Sequence, residues 1–202
     1  MVRREIIVAL AVSWALIACS TTKSKGPMTG AKTSEGAVGP VPGGMGPKTE
    51  DMRTSDLNND GKPEVFKYYE TIEDPKAPGQ KKTILVRQDI DMTWDGKIDL
   101  WRYFDVDGNT EKEEWDTDFD GKVDETRFFA HGVLIRSECD RNNDGKPDVI
   151  RYYKDGKLER KESDTNEDGQ VDRWEYFAGR VLERIGVDRD HDGKVDTWAK
   201  KE

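Results

Sequence analysis

The sequence predicts an all-β fold, an antiparallel meander of tandem β-hairpin repeats of about 24 residues linked by acidic loops. Three observations support this prediction. A nine-residue acidic motif recurs at a nearly fixed interval, the segments between its copies are rich in strand-forming residues, and none of them carries the apolar stripe of an amphipathic helix. The copies begin at Asp56, Asp91, Asp116, Asp140, Asp164 and Asp188. A fixed period indicates one supersecondary unit whose copies bury surface against their neighbours.

Composition limits both the core and the partners. Of the 202 residues, 34% are apolar and 37% are charged, so a thick, dry core is not expected. The formal net charge of −9 argues against nucleic acid as a partner, because phosphate binding needs a basic surface. If Cys19 is modified, Cys139 has no partner for an intramolecular disulfide.

Residues 1–18 have the features of a secretory signal peptide. Arg3 and Arg4 precede a short apolar run over residues 6–18 that ends in small and aliphatic residues. Such a run is too short to cross a bilayer comfortably as a helix. A short membrane helix, or an ordinary cleaved signal with an incidental cysteine, remains the alternative.

The end of this run, Leu16, Ile17, Ala18 and Cys19, resembles the lipobox of bacterial lipoproteins. The resemblance implies cleavage before Cys19, a lipid thioether on its sulfur and anchorage in a lipid bilayer, with two or three acyl chains giving lasting attachment. Ser20 follows the cysteine where aspartate would favour the inner membrane, so in a Gram-negative cell we expect an outer-membrane location, facing the periplasm or the surface.

Residues 19–54 are predicted to form the acylated cysteine and a flexible tether. The segment is rich in glycine, proline, serine, threonine and lysine, and residues 39–47 alternate glycine and proline too densely for a regular element. The repeat domain is predicted to span residues 55–202.

Each repeat reads as loop, strand, turn and strand. The strand after the loop carries aromatic or β-branched residues, as in residues 65–69 and 149–153, and the next alternates strictly, as in residues 134–138. Short connections predict about eleven strands paired in chain order. Residues 71–80, which make the first interval longer, read as an extended turn. Every second turn of a meander lies on the same edge, so the six loops are expected to form a row.

The rings of each first strand are expected on one face of the sheet, as a thin core. Lys67, Arg102, Arg127 and Arg151 fall on the other face, where second-strand arginines and glutamates are expected to join them. The register is left open by the sequence. The alternative is that the rings form a platform for a saccharide or protein partner.

The motif itself points to a metal. In the copy that starts at Asp188, acidic residues occupy positions 1, 3, 5 and 9, and Gly193 occupies position 6. A hard cation takes oxygen ligands from converging carboxylates, and glycine lets the backbone turn sharply. The alternative is that Asp-Gly forms only a hairpin turn, which leaves the acids at positions 1 and 9 unexplained. Calcium suits such a loop better than magnesium, since magnesium prefers a rigid octahedron that retains water.

An EF-hand is the wrong assignment, although the first six positions match. An EF-hand needs glutamate at position 12, and only one copy has it. The residues at position 12 are Lys67, Arg102, Arg127, Arg151, Glu175 and Ala199.

Position 9 is acidic in every copy. This form of the motif resembles the calcium loops of integrin alpha-subunit propeller hairpins and thrombospondin type 3 repeats, and the repeats of bacterial surface lipoproteins. The resemblance implies up to six Ca²⁺ ions, held by side chains at positions 1, 3, 5 and 9, the carbonyl at position 7 and water. The side chains so implied are Asp56, Asn58, Asp60 and Glu64; Asp91, Thr93, Asp95 and Asp99; Asp116, Asp118, Asp120 and Asp124; Asp140, Asn142, Asp144 and Asp148; Asp164, Asn166, Asp168 and Asp172; and Asp188, Asp190, Asp192 and Asp196.

The number of carboxylates predicts the order of affinity. The loops at Asp116 and Asp188 have four, and those at Asp56, Asp140 and Asp164 have three because asparagine holds position 3. The loop at Asp91 has Thr93 there and is predicted to be the weakest.

The expected function is that of a membrane-anchored, calcium-binding repeat lipoprotein of the cell envelope with a structural, adhesive or partner-binding role. The expected partner, besides the bilayer, is a protein or a saccharide. The alternatives are a calcium buffer or sensor and, less favoured, a hydrolase that uses the loop carboxylates. No catalytic motif is present and the only histidines are His131 and His191, so we expect no enzymatic activity.

Overall fold

The computed structural model describes residues 51–200, and in this part of the chain the all-β prediction is confirmed. Twelve strands form one antiparallel sheet in which the order of the strands equals their order in the sequence. The predicted signal peptide, Cys19 and most of the predicted tether lie outside the described residues. Among the described residues, no helix has the length and apolar character that a membrane crossing requires.

The strands are 4 to 10 residues long. They are β1 Asp51–Ser55, β2 Val65–Glu73, β3 Lys81–Ile90, β4 Leu100–Phe104, β5 Thr110–Trp115, β6 Glu125–Ala130, β7 Val133–Cys139, β8 Val149–Lys154, β9 Lys157–Ser163, β10 Arg173–Ala178, β11 Val181–Val187 and β12 Thr197–Lys200. The longest two, β2 and β3, form one hairpin. Only neighbouring strands touch one another in residues 51–200, so the described sheet is a single open layer.

Two predicted boundaries were wrong. Strand β1 lies mostly in the segment assigned to the tether, so within residues 51–200 the sheet starts at Asp51 and has twelve strands rather than about eleven. An edge strand of this kind gains its hydrogen bonds from one neighbour and needs little apolar surface, which explains why its polar sequence gave no signal. Residues 71–73 also belong to strand β2, so the extra length of the first interval lies partly in a longer hairpin.

The aromatic face of the sheet is more than a core. The rings of Tyr68, Tyr103, Phe128, Tyr152 and Tyr176 share this face, but the strands between them place cations directly opposite. In register order the row reads Tyr68, Arg87, Tyr103, Lys112, Phe128, Arg136, Tyr152, Arg160, Tyr176 and Arg184. The expectation that second-strand arginines and glutamates lie on the opposite face was therefore wrong for the arginines of this row. It holds for Glu113, which lies opposite Arg102 and Arg127 on the other face.

Each cation of this row lies against a ring, and the first four, Arg87, Lys112, Arg136 and Arg160, also pair with an acid two residues along the strand. Arg87 lies 5.5 Å from the Tyr68 ring centre and 5.6 Å from that of Tyr103. The guanidinium of Arg87 also donates to Asp89, two residues along, at 2.6 and 2.8 Å. We call the row the cation–aromatic ladder. Because its charges are paired and stacked, a single-layer sheet can bury Arg87 to 5% exposure without a second apolar layer.

Most of the fully buried apolar residues lie on the opposite face, next to the loops. Val65, Leu100, Cys139 and Val149 belong to one register row, and their exposure is 7% or less. In the next row, Arg151 contacts the Cys139 sulfur at 3.1 Å. The apolar core is thus a strip along the base of the loop edge.

A register shift recurs in five hairpins at the same place, immediately after the ring residue of the first strand. The shifts follow Tyr68, Tyr103, Phe128, Tyr152 and Tyr176. A bulge adds an unpaired residue to one strand and increases the local twist. The second-strand residues therefore change faces at a point that uninterrupted alternation does not predict.

Candidate metal centre

The six acidic loops form one row along a single edge of the sheet, as expected for a meander. They connect β1 to β2, β3 to β4, β5 to β6, β7 to β8, β9 to β10 and β11 to β12. Backbone hydrogen bonds join them: the amide of position 1 donates to the carbonyl of position 9 in the preceding loop. Asp116 donates to Asp99 in this way at 2.9 Å, and Asp164 to Asp148 at 2.8 Å. The loops are thus continuous with the sheet.

The carboxylate at position 9 ties each loop together from within. It accepts a hydrogen bond from the amide of position 2 in all six loops, for example Leu57 to Glu64 at 2.6 Å and Thr117 to Asp124 at 2.6 Å. Asp99 and Glu64 are 1% and 2% exposed. The acid at position 9 therefore both holds the loop closed by a hydrogen bond and is a candidate metal ligand.

The carboxylate at position 1 does the same for the tip of the loop. It accepts the amide of the glycine at position 6 in every copy, as from Gly121 to Asp116 at 2.7 Å. These glycines have φ between 84° and 93°, which confirms the predicted sharp turn. A carboxylate offers about four lone pairs, so these bonds leave capacity for a cation.

Sequence reasoning missed a second left-handed position. The residue at position 4 has φ between 58° and 64° in all six loops although none of these residues is glycine. They are Asn59, Trp94, Phe119, Asn143, Glu167 and His191. Only the two asparagines carried a sequence signal, because asparagine tolerates this region better than other residues.

Three loops gather carboxylate oxygens closely enough to hold one ion. In each group, one oxygen from each of three residues lies within 4.8 Å of the others. The groups are Asp56, Asp60 and Glu64; Asp116, Asp118 and Asp124; and Asp188, Asp190 and Asp196. Two ligands of a Ca²⁺ ion at 2.3–2.6 Å are at most about 5 Å apart, so the spacing and the all-oxygen donor set fit such an ion. Within residues 51–200, the carboxylates of the other three loops do not form groups of this closeness.

Position 5 departs from the predicted ligand set in the two loops with four carboxylates. Asp120 lies outside its group and accepts the side-chain amide of Asn143 at 3.3 Å. Asp192 lies outside its group and pairs with Lys194 at 3.0 Å. The hydrogen bond from Lys194 lowers the pKa of Asp192. In both loops the structure therefore brings together positions 1, 3 and 9.

Burial and crowding make the ionised loops electrostatically costly. Burial raises the pKa of Asp99 and of Asp116, and backbone hydrogen bonds only partly offset it. Neighbouring carboxylates add to the rise: Asp91 and Asp95 act on Asp99, and Asp124 acts on Asp116. The loops at Asp91 and Asp116 are thus sites where a positive charge would be stabilised.

Comparisons with known proteins give no family. No family model matches the chain, and no curated protein matches it. Among solved structures, the accessory secretory protein 1, 2 and 3 structure from Streptococcus pneumoniae matches at 15% identity and a TM-score of 0.27, covering 59% of this chain and 19% of that chain. The glycosylation-associated Gap123 complex from Streptococcus agalactiae matches at 13% identity and a TM-score of 0.29, covering 69% and 22%. This chain spans about a fifth of those chains, and likeness this weak carries no functional argument.

Proposed function

We propose that this chain is a calcium-binding repeat protein of the bacterial envelope whose bound ions stiffen the loop edge of the sheet. The observation that carries the proposal is the closeness of carboxylate oxygens in the loops at Asp56, Asp116 and Asp188. An all-oxygen donor set rich in carboxylates suits Ca²⁺ better than Mg²⁺, which demands a near-ideal octahedron and retains water. The other three loops have the same backbone framework, which supports a capacity of up to six ions.

The chemistry that the ion supplies is positive charge among buried acids. Asp116 and Asp124 are 2% and 5% exposed, and each already accepts backbone amides. These backbone hydrogen bonds fix the conformation of the loop, so the chain itself supplies the preorganisation. A structural role is favoured over a sensor, since no helix in residues 51–200 flanks a loop and could swing open.

The cellular setting rests on the sequence before residue 51. We propose that Cys19 is acylated and anchors the chain in the outer membrane, with a tether that holds the sheet away from the bilayer. The partner at the envelope is then a protein or a saccharide, and the role is structural, adhesive or partner-binding rather than catalytic. Neither histidine is embedded in an acid–base group: His131 is exposed in a turn, and His191 contacts the Asn166 side chain at 3.2 Å.

The test is a calorimetric titration of the full chain with Ca²⁺, joined to thermal unfolding before and after chelation. We expect at least three tight equivalents, weaker heats with Mg²⁺, and a melting temperature that falls on chelation, because an ion that binds only the folded state stabilises it. Absence of binding heat together with an unchanged melting temperature would overturn the proposal.

A matched pair of variants locates the effect. Asp116→Asn removes a charge from one of the three groups, and Asp155→Asn removes an exposed charge from a turn on the opposite edge. Asp155 has φ of 51°, a conformation that asparagine also accepts, so the control is not expected to strain the backbone. We expect Asp116→Asn to weaken one binding event and Asp155→Asn to leave the titration unchanged.

A further inference from the structure

The two ends of the sheet are complementary halves of the repeat. Strand β12 follows a loop, as β2, β4, β6, β8 and β10 do, and each of those strands pairs on its far side with a strand that precedes a loop. Strand β1 precedes a loop, as β3, β5, β7, β9 and β11 do. One edge of the described sheet is therefore β12, which corresponds to the first strand of a hairpin. The other edge is β1, which corresponds to the second strand of a hairpin.

The outer edge of β1 presents backbone groups in the alternation that pairing needs. The Ser55 carbonyl points toward β2, since it accepts the Glu64 amide at 3.1 Å. Successive residues of a strand direct their amide and carbonyl groups to opposite sides, so those of Thr54 point away from β2. Strands β1 and β12 do not pair with each other within the described residues, and an open edge of this kind is a template for another strand.

The exposed apolar side chains at the two ends lie on the same face. Met52 pairs with Tyr68 in register and is 55% exposed. Trp198 lies on the Arg184 side of the cation–aromatic ladder, 4.8 Å from that guanidinium, and is 48% exposed. Each ring within the ladder has a neighbouring strand on both sides, whereas Trp198 has one only on the side of β11.

We propose that copies of this chain associate end to end, with β12 of one copy pairing antiparallel with β1 of the next in the register of the internal hairpins. In β2 and β3, Val65 opposes Ile90 and Phe66 opposes Asp89. The same offset sets Thr197 opposite Ser55 and Trp198 opposite Thr54, which brings Met52 diagonally against Trp198. The Asp56 amide then meets the Asp196 carbonyl as position 1 meets position 9 inside the chain, so the row of loops continues across the junction.

The contact is heterologous, because each copy uses two different edges. A heterologous contact that does not close into a ring produces open chains of copies. The proposal does not depend on an ion in the loops, since it follows from strand type, register and exposed side chains.

The test is disulfide trapping in whole cells that express the full chain, oxidised mildly with diamide, so the result does not depend on where the chain is located. Ser55→Cys with Thr197→Cys sets two cysteines at directly opposed positions of the junction, a spacing that a disulfide spans. We expect a reductant-sensitive series of disulfide-linked dimers, trimers and larger species on a gel. No species beyond those of the unaltered chain would overturn the proposal.

Three further variants make the register and the open-ended geometry testable. Thr54→Cys with Thr197→Cys directs the two sulfurs to opposite faces and should give no disulfide-linked species. Equal amounts of linked species would refute the register. Ser55→Cys alone should give no trapped dimer, and a dimer would indicate a symmetric contact instead. Added to the Ser55→Cys and Thr197→Cys pair, Thr54→Pro should abolish the disulfide-linked species by removing one outward amide, whereas Thr54→Ala should retain them. Disulfide-linked species that persist with Thr54→Pro would overturn the proposed strand pairing.

Discussion

The loop edge and the cation–aromatic ladder accommodate charge in opposite ways. In the ladder, four of the five cations lie against both a ring and an acid, as Arg160 does at 4.1 Å from the Tyr152 ring centre and 3.2 Å from Glu162. Arg184 lies against the rings of Tyr176 and Trp198. In the loops, the buried side chains are acids that accept hydrogen bonds from amides and hydroxyls of the same loop, as Asp124 does from Thr117. Most cations of the ladder are therefore balanced by acids of the sheet itself, while the loops carry an excess of negative charge. We therefore expect a bound cation to change the stability of the loop edge but not that of the cation–aromatic ladder.

The largest expected effect separates two acids of the same loop. Asp118→Asn should weaken Ca²⁺ binding by at least about tenfold, because a unit charge about 4 Å from another is worth between about 1 and 4 kcal/mol from water to a protein surface. Asp118 belongs to the close group, whereas Asp120 does not. Asp120→Asn should therefore have the smaller effect, as measured by calorimetric titration of both variants. Equal losses would show that the ion recruits Asp120 as the sequence motif implies.

In the sheet, the corresponding change should be independent of calcium. Tyr152→Leu removes a ring that lies against Arg136 and Arg160. We expect the free energy of unfolding to fall by about 1 to 2 kcal/mol, equally with Ca²⁺ and with chelator, in urea denaturation. Tyr152→Phe is the control, since it keeps the ring and loses only the hydroxyl bond to Glu162 at 3.2 Å. A loss that appears only with calcium would contradict the separation of the two regions.

The backbone of the loop tip allows a pair of opposite effects. Gly121→Ala should destabilise the fold by about 1 to 2 kcal/mol, because φ is 93° there. An added Cβ meets nothing within 4 Å, so the cost is conformational and not steric crowding. Phe119→Asn should stabilise the fold by up to about 1 kcal/mol, since asparagine tolerates φ of 62° better than phenylalanine. Thermal unfolding of the two variants in chelator measures both, and destabilisation by Phe119→Asn would count against the assigned strain.

The smallest expected effect is the acid sensitivity of one ion-paired glutamate in the sheet. Burial acts to raise the pKa of Glu175, but hydrogen bonds from Lys161 and Arg173 outweigh it and lower the pKa below the ordinary 4.5. A lowered pKa gives stability that is present above the unfolded-state value and is lost as the pH falls through the folded-state value.

Glu175→Gln should therefore flatten the decline of stability below about pH 4.5, by less than about 1 kcal/mol. The measurement is the urea midpoint at a series of acidic pH values. Glu159→Gln, at a glutamate whose side chain is 55% exposed, is the control. A Glu175→Gln profile as steep as that of the parent would show that this pair does not contribute.

Much of the fold and part of the site follow from local sequence. The acids at fixed spacing, the glycine at position 6 and the period-two strands are each read within a few residues, and they determine an all-β meander with its loops on one edge. The turn at Gly121 was predictable because only a residue without a side chain adopts its φ cheaply. The left-handed backbone at Trp94 and Phe119 was not, because these residues do not favour it and the surrounding loop imposes it.

What the tertiary structure alone decided depends on contacts between strands. The sequence did not determine that Arg87 and Arg136 oppose rings, because register is set by pairing and by the bulge in each hairpin, and a shift of one residue exchanges the two faces. Strand β1 forms because β2 is available to pair with it, although its own residues are polar. The gathering of oxygens in three of six similar loops is likewise a matter of side-chain placement. The sequence by itself determined the repeat and its acidic chemistry, while the pairing of strands decided where each charge lies.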